Sequence, residues 1–148
     1  MGSRLLITAL LTITSLAVLP VQAASVSESA RGIPIAASVD VVVVGGSSAA
    51  VAAATAAAEA GAKVFLIAPR PYLGEDMAGT LRLWLEPGEI AGGGLAESVF
   101  GKETFATPGK LKKTLDAALT AAGVEFLYTC LQTDVLVDAA GHPCGVVV

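Results

Sequence analysis

At 148 residues the chain has room for one domain of ordinary size, and 54% hydrophobic residues are enough to give it a core. Only 15% of the residues are charged, which excludes a disordered chain, and a formal net charge of −4 without a basic stripe excludes the footprint of a nucleic-acid binder. Two cysteines outside any Cys-x-x-Cys and a single histidine, His142, give no basis for a metal centre.

Residues 1–23 have the three parts of a secretory signal peptide. Arg4 supplies the positive start, residues 5–19 are uncharged and apolar, and Val21-Gln22-Ala23 matches the small-x-small cleavage pattern. Pro20 ends the apolar run short of a comfortable membrane span of about 17–25 residues. The expectation is therefore an exported chain, periplasmic or secreted, with no membrane attachment once the signal is cleaved. Cleavage would remove one arginine and no acid, leaving the mature chain slightly more acidic. Arg4 is a single arginine, so export in an unfolded state, with any cofactor acquired afterwards, is the expectation. Residues 24–38 read as an extended, polar arm, and residues 39–148 as the folded domain.

Within the domain, residues 39–44 form a short β-branched run, the kind of strand buried on both faces of a parallel sheet. Gly45 and Gly46 make a turn, residues 48–60 are alanine-rich and helical, and Gly61 stands at the stop position. Residues 63–67 supply a second buried strand. This order predicts a Rossmann-like βαβ unit of an α/β protein. Residues 69–94 mix Pro, Gly and charge with the only tryptophan, Trp84, and are too long for an ordinary connection. They read as an excursion facing a cofactor or partner.

Thr107 then suits a helix N-cap and Pro108 the first helical position. Leu111, Leu115, Ala118, Leu119 and Ala122 make one apolar stripe, and Gly123 closes the helix. A third strand is expected over 124–128, followed by two antiparallel strands around Ala140-Gly141-His142. The sequence runs out at Val146-Val147-Val148, inside what reads as a buried strand, so a fragment of a longer domain is expected. Cys130 and Cys144 fall at opposite ends of the first of these late strands, and no disulfide is expected between them.

The glycine turn carries the chemistry. In a dinucleotide fingerprint the first glycine makes the tight turn, the second lets the pyrophosphate approach the backbone, and the third allows close helix–strand packing. Gly45 takes the first role, Ser47 the second and Ala50 the third. The hydroxyls of Ser47 and Ser48 can donate to phosphate oxygens, and the amides that open the helix face negative charge. The acid that ordinarily holds the adenosine ribose is missing: its place is Ala68, followed by Pro69 and Arg70. An absent acid with a nearby arginine is the pattern that accommodates a 2′-phosphate, so NADP stands as an alternative cofactor.

From Asp40 onward the chain resembles the N-terminal part of secreted bacterial FAD-dependent oxidoreductases of the glutathione-reductase-like class. The resemblance rests on "DVVVVGGSSAAVAAATAAAEAGAKVFLIAPRPYLGED", "LRLWLEPGE" and "TPGKLKKTLDAALTAAGVEFLYTCLQTDVLVDAAGHPCGVVV", in that order and spacing. It implies FAD as cofactor and a small-molecule substrate. It implies that Gly45, Gly46, Ser47, Ser48, Ala49 and Ala50 face the pyrophosphate, and that Ala68 and Arg70 lie near the ribose. Gly74 and Glu75 would pass the phosphates or ribityl chain, and the backbone at Leu131 and Gln132 would meet the adenine. Two positions depart from the family pattern: Ala68, and Glu75 where a second glycine is usual. The spacing lets Glu75 or Asp76 supply the missing carboxylate. No catalytic residue is identified, and a truncated chain without retained ligand is the remaining alternative.

Overall fold

Valine runs joined by an alanine-rich segment give the first half of the fold. In the computed structural model, which describes residues 30–148, β1 (Val41–Val44) leads through the glycine turn into α1 (Ser48–Glu59) and on to β2 (Val64–Ala68). The expected signal peptide, its cleavage site and the start of the expected arm lie outside the described residues. Residues 30–39 form no helix or strand, and residues 35–148 form one compact unit.

β1 and β2 pair in parallel with Val41 opposite Val64 and Val44 opposite Ile67. β3 (Glu125–Tyr128) adds on the far side of β2, also parallel, giving the order β1-β2-β3. Asp40 fixes the entry to the sheet, its carboxylate accepting from the Lys63 amide at 2.8 Å while its own amide donates to the Lys63 carbonyl at 2.9 Å.

α4 (Pro108–Ala121) forms where the capping signals put it. Thr107 Oγ1 accepts from the Lys110 amide at 3.2 Å, Pro108 occupies the first turn, and Leu111, Leu115 and Leu119 are fully buried one turn apart. Ala118 and Ala122 pack against the same core, and Gly123 leaves the helix at φ +70°. The core joins this leucine ridge to Val51 and Ala54 of α1, and to Val64, Leu66 and Ala68 of β2. Tyr128 donates from its hydroxyl to Asp116 of α4. Burial, and then that hydrogen bond and the carboxylate charge, push the phenol well above its ordinary range.

Both of these helices cover one face of the sheet. Val41 and Val43 pack on the core, whereas Val42 and Val44 are about two-fifths exposed, as is Leu127 of β3. The expected burial of the first strand on both faces is corrected here: side chains alternate, and α1 and α4 meet only one set.

The excursion is more ordered than expected. It contains α2 (Glu75–Ala78), and its last residue opens α3 (Gly94–Phe100), whose Val99 and Phe100 are buried. Backbone bonds from Leu85 to Thr104 (2.7 Å) and from Ala106 to Leu83 (2.8 Å) tie the loop around Trp84 to the approach to α4. β4 (Asp134–Val137) and β5 (Pro143–Val147) form the expected antiparallel hairpin as a separate sheet. Its turn is closed by Asp138, whose carboxylate accepts from the amides of Ala140 (2.8 Å) and His142 (2.9 Å). The expectation of a buried last strand is corrected: β4 is exposed throughout and β5 is exposed or half-buried, and among the described residues the two strands pack chiefly on each other. Cys130 and Cys144 are free thiols.

Candidate functional site

The C-terminal end of β1 runs into Gly45 at φ +132°, a conformation that side chains rarely adopt, while the Gly45 amide still donates to Ile67 of β2 at 2.8 Å. The chain can therefore turn sharply without leaving the sheet. At Gly46 a Cβ would stand 3.2 Å from the Cβ of Ala68 and 3.6 Å from the Tyr72 carbonyl oxygen. The turn lies directly on the end of β2 and on the loop beyond it. That loop is tied back by the Gly74 amide, which donates to the Gly46 carbonyl at 2.7 Å.

Ser47 is the N-cap of α1, extended at φ −72° and ψ 164°, and its Oγ accepts from the Ala50 amide at 3.1 Å. The Ser47 hydroxyl proton stays available to a second acceptor. The Ser48 amide donates to Asp76 Oδ1 at 2.9 Å, and its hydroxyl to Asp76 Oδ2 at 2.5 Å. The amides of Ser47 and Ala49 have no acceptor among the described residues. Helix ends leave donors of this kind for a ligand or water, with the dipole favouring an anion.

Beside the turn is an open cleft of about 420 Å³ lined by Ser47, Arg70, Glu75, Asp76, Gly79 and Thr80. Arg70 Nε lies 3.5 Å from Glu75 Oε2 across it. A second groove, of about 460 Å³ along α4, is lined by Ser98, Lys110 and Lys113 with their neighbours and shares no residue with the turn.

Of the residues expected at a nucleotide site, Gly45, Gly46, Ser47, Ser48, Ala49 and Ala50 form one continuous turn and helix start, with Arg70, Gly74 and Glu75 close by. Ala68 has a fully buried side chain and offers only its backbone, its carbonyl accepting from the Cys130 amide at 3.2 Å. That bond brings the segment before Leu131 to the end of β2, and Leu131 itself is about two-thirds exposed. The two candidate carboxylates part company: Glu75 faces Arg70, and Asp76 faces Ser48. Gly79, Thr80 and the Tyr72 carbonyl were not singled out from sequence; their sole signal was a place in the long excursion. Among the described residues no His, Cys, Asp and Glu group could hold a metal.

A parallel strand–turn–helix unit with a positive-φ glycine and free amides at the helix start is a Rossmann-type nucleotide-binding unit. The FAD dependent oxidoreductase family model matches residues 40–148, and the chain belongs to that family. No curated protein matches it. Its cofactor is FAD. The residues present suit that group: the amides of Ser47 and Ala49 and the hydroxyls of Ser47 and Ser48 are donors suited to a pyrophosphate, at a turn set by Gly45 at φ +132°. Two carboxylates there have the wrong sign for a phosphate: Glu75, offset by Arg70 at 3.5 Å, and Asp76, which lies on Ser48.

Proposed function

We propose that the turn from Gly45 to Ala50 binds the pyrophosphate of FAD in an exported flavin oxidoreductase of the glutathione-reductase-like class that acts on a small molecule. The observation that carries the reading is the start of α1, where Gly45 at φ +132° turns the backbone and leaves the Ser47 and Ala49 amides without a protein acceptor. Bound flavin supplies the hydride or electron-pair chemistry, as in other flavin enzymes. The chain's own residues bind and orient. The amides of the turn and the hydroxyls of Ser47 and Ser48 take phosphate oxygens, and the cleft beside Arg70 and Glu75 takes the adenosine ribose. Glu75 is placed to accept from ribose hydroxyls while Arg70 neutralises it. The backbone at Leu131 and Gln132 would border the adenine.

Export is supported by the signal-like pattern of residues 1–23. Among the described residues no helix is long and apolar enough to cross a membrane. The acidic net charge disfavours nucleic acid as a partner.

Arg70 beside the cleft is the one feature that favours NADP instead, since an arginine can hold a 2′-phosphate. Its pairing with Glu75 works against that use. Titrating the chain with FAD, NADPH and NADH, and following flavin fluorescence and thermal shift, distinguishes the two. The expected result is saturable FAD binding that NADPH does not match. Stabilisation by NADPH, lost in Arg70→Glu and with no FAD binding, would establish the other cofactor.

A further inference from the structure

Asp76 stands 28 residues along the chain from Ser48, yet both of its carboxylate oxygens are committed there, at 2.9 Å to the amide and 2.5 Å to the hydroxyl. α1 has no acidic residue in its own first turn. The negative charge that its N-terminus favours is instead delivered by α2. The Ser48 amide and hydroxyl are also two of the donors that the turn has for a phosphate. A carboxylate and a phosphate oxygen are both anionic acceptors, so the pair of donors serves one or the other, and the two anions repel at such close range.

Resting on the FAD reading above, we propose that Asp76 is a displaceable internal occupant of the pyrophosphate seat, and that FAD binds by exchanging its phosphate for this carboxylate at Ser48. α2 is built to allow the exchange. It is four residues long, and Met77 and Ala78 hold its backbone on the core while Asp76 projects toward Ser48 and the cleft. Its last turn is capped separately, Thr80 Oγ1 donating to the Asp76 carbonyl at 2.7 Å, so the carboxylate can swing off Ser48 while the backbone stays in place. Toward the cleft, the displaced carboxylate meets Arg70, whose guanidinium now faces Glu75. A chain without FAD thus keeps its own anion on the helix, and the affinity for FAD is lowered by the cost of removing it.

The test compares the wild-type chain with Asp76→Asn and Asp76→Ala in titrations with FAD and, separately, with inorganic pyrophosphate. Thermal midpoints of the ligand-free proteins are recorded alongside. Asn retains an acceptor for the Ser48 amide, so the proposal stays testable even where Asp76→Ala fails to fold. The expected result is FAD and pyrophosphate binding at least about fivefold tighter in both variants, with a lower ligand-free midpoint. Equal or weaker FAD binding in folded Asp76→Asn overturns the proposal and leaves the FAD reading standing, weaker binding making Asp76 part of the seat itself. Folded proteins of which none binds FAD or pyrophosphate would overturn the FAD reading and the proposal together. Binding by the variants but not by wild type would support the proposal in its strongest form.

Discussion

Replacing Gly74 with alanine should destabilise the protein by about 2–4 kcal/mol, combining left-handed backbone strain with overpacking. Gly74 sits at φ +79° and ψ 33°, and a Cβ there would lie 2.8 Å from Leu115 Cδ1 and 2.9 Å from Leu111 Cδ2. Both leucines are fully buried in the α4 ridge, where close packing resists the shift they would have to make. The usual stability of a domain is only about 5–15 kcal/mol, so the change is a large part of the whole. Gly61 is the natural comparison. It too has positive φ, +93°, but nothing lies within 4 Å of the added carbon. Gly61→Ala should therefore show the backbone share alone, about 1–2 kcal/mol. Urea unfolding would check both through the midpoint at unchanged slope. Equal losses in the two variants would mean that the loop does not press on α4 as described.

The second large effect concerns the ligand. Gly45→Val should weaken FAD binding at least about a hundredfold, or some 2.7 kcal/mol. A β-branched residue at φ +132° is a backbone outlier, and a Cβ at that site already approaches the Ala50 Cβ at 3.7 Å. The two further carbons of valine would force the turn open and move the Ser47 and Ala49 amides. Leu111, Leu115 and Leu119 of α4 and Val99 and Phe100 of α3 supply core outside the turn, so circular dichroism should still report a folded chain. Retained FAD affinity in a folded Gly45→Val protein would remove the turn from the account.

The parts of this architecture that could be read from sequence are those encoded by local geometry. Thr107, Pro108, the leucine spacing and Gly123 each specify one feature of α4, and all agree. The turn was equally legible, because a glycine pair between an apolar strand and an alanine-rich helix has few other uses, and Gly45 turns there at φ +132°. One-sided cover of the sheet was not legible. A run of four valines reads the same whether helices lie on one face or both, and only the tertiary placement of α1 and α4 decides. α3 was missed because Gly92, Gly93 and Gly94 read as loop. Gly93 and Gly94 do adopt positive φ, and the helix that follows is fixed by Val99 and Phe100 entering the core.

The site divided along the same line. Its backbone elements were contiguous in sequence and were found there. The roles of Glu75 and Asp76 were not, since adjacent carboxylates are equivalent until the fold sets one against Arg70 and the other against Ser48. The apparent absence of a ribose acid has a physical setting as well. Ala68 is fully buried against the Gly46 backbone, so a longer side chain there would need to turn out of the core.

Most direct for the central claim is an amide-resolved NMR titration of the ¹⁵N-labelled chain with FAD. Saturable shifts are expected, concentrated on Ser47, Ser48, Ala49 and Ala50 and extending to Arg70 and Glu75, with α4 and the β4–β5 hairpin little changed. Saturable binding whose shifts fall along the groove at Ser98, Lys110 and Lys113, with the turn unmoved, would contradict it, as would a folded chain that FAD does not perturb.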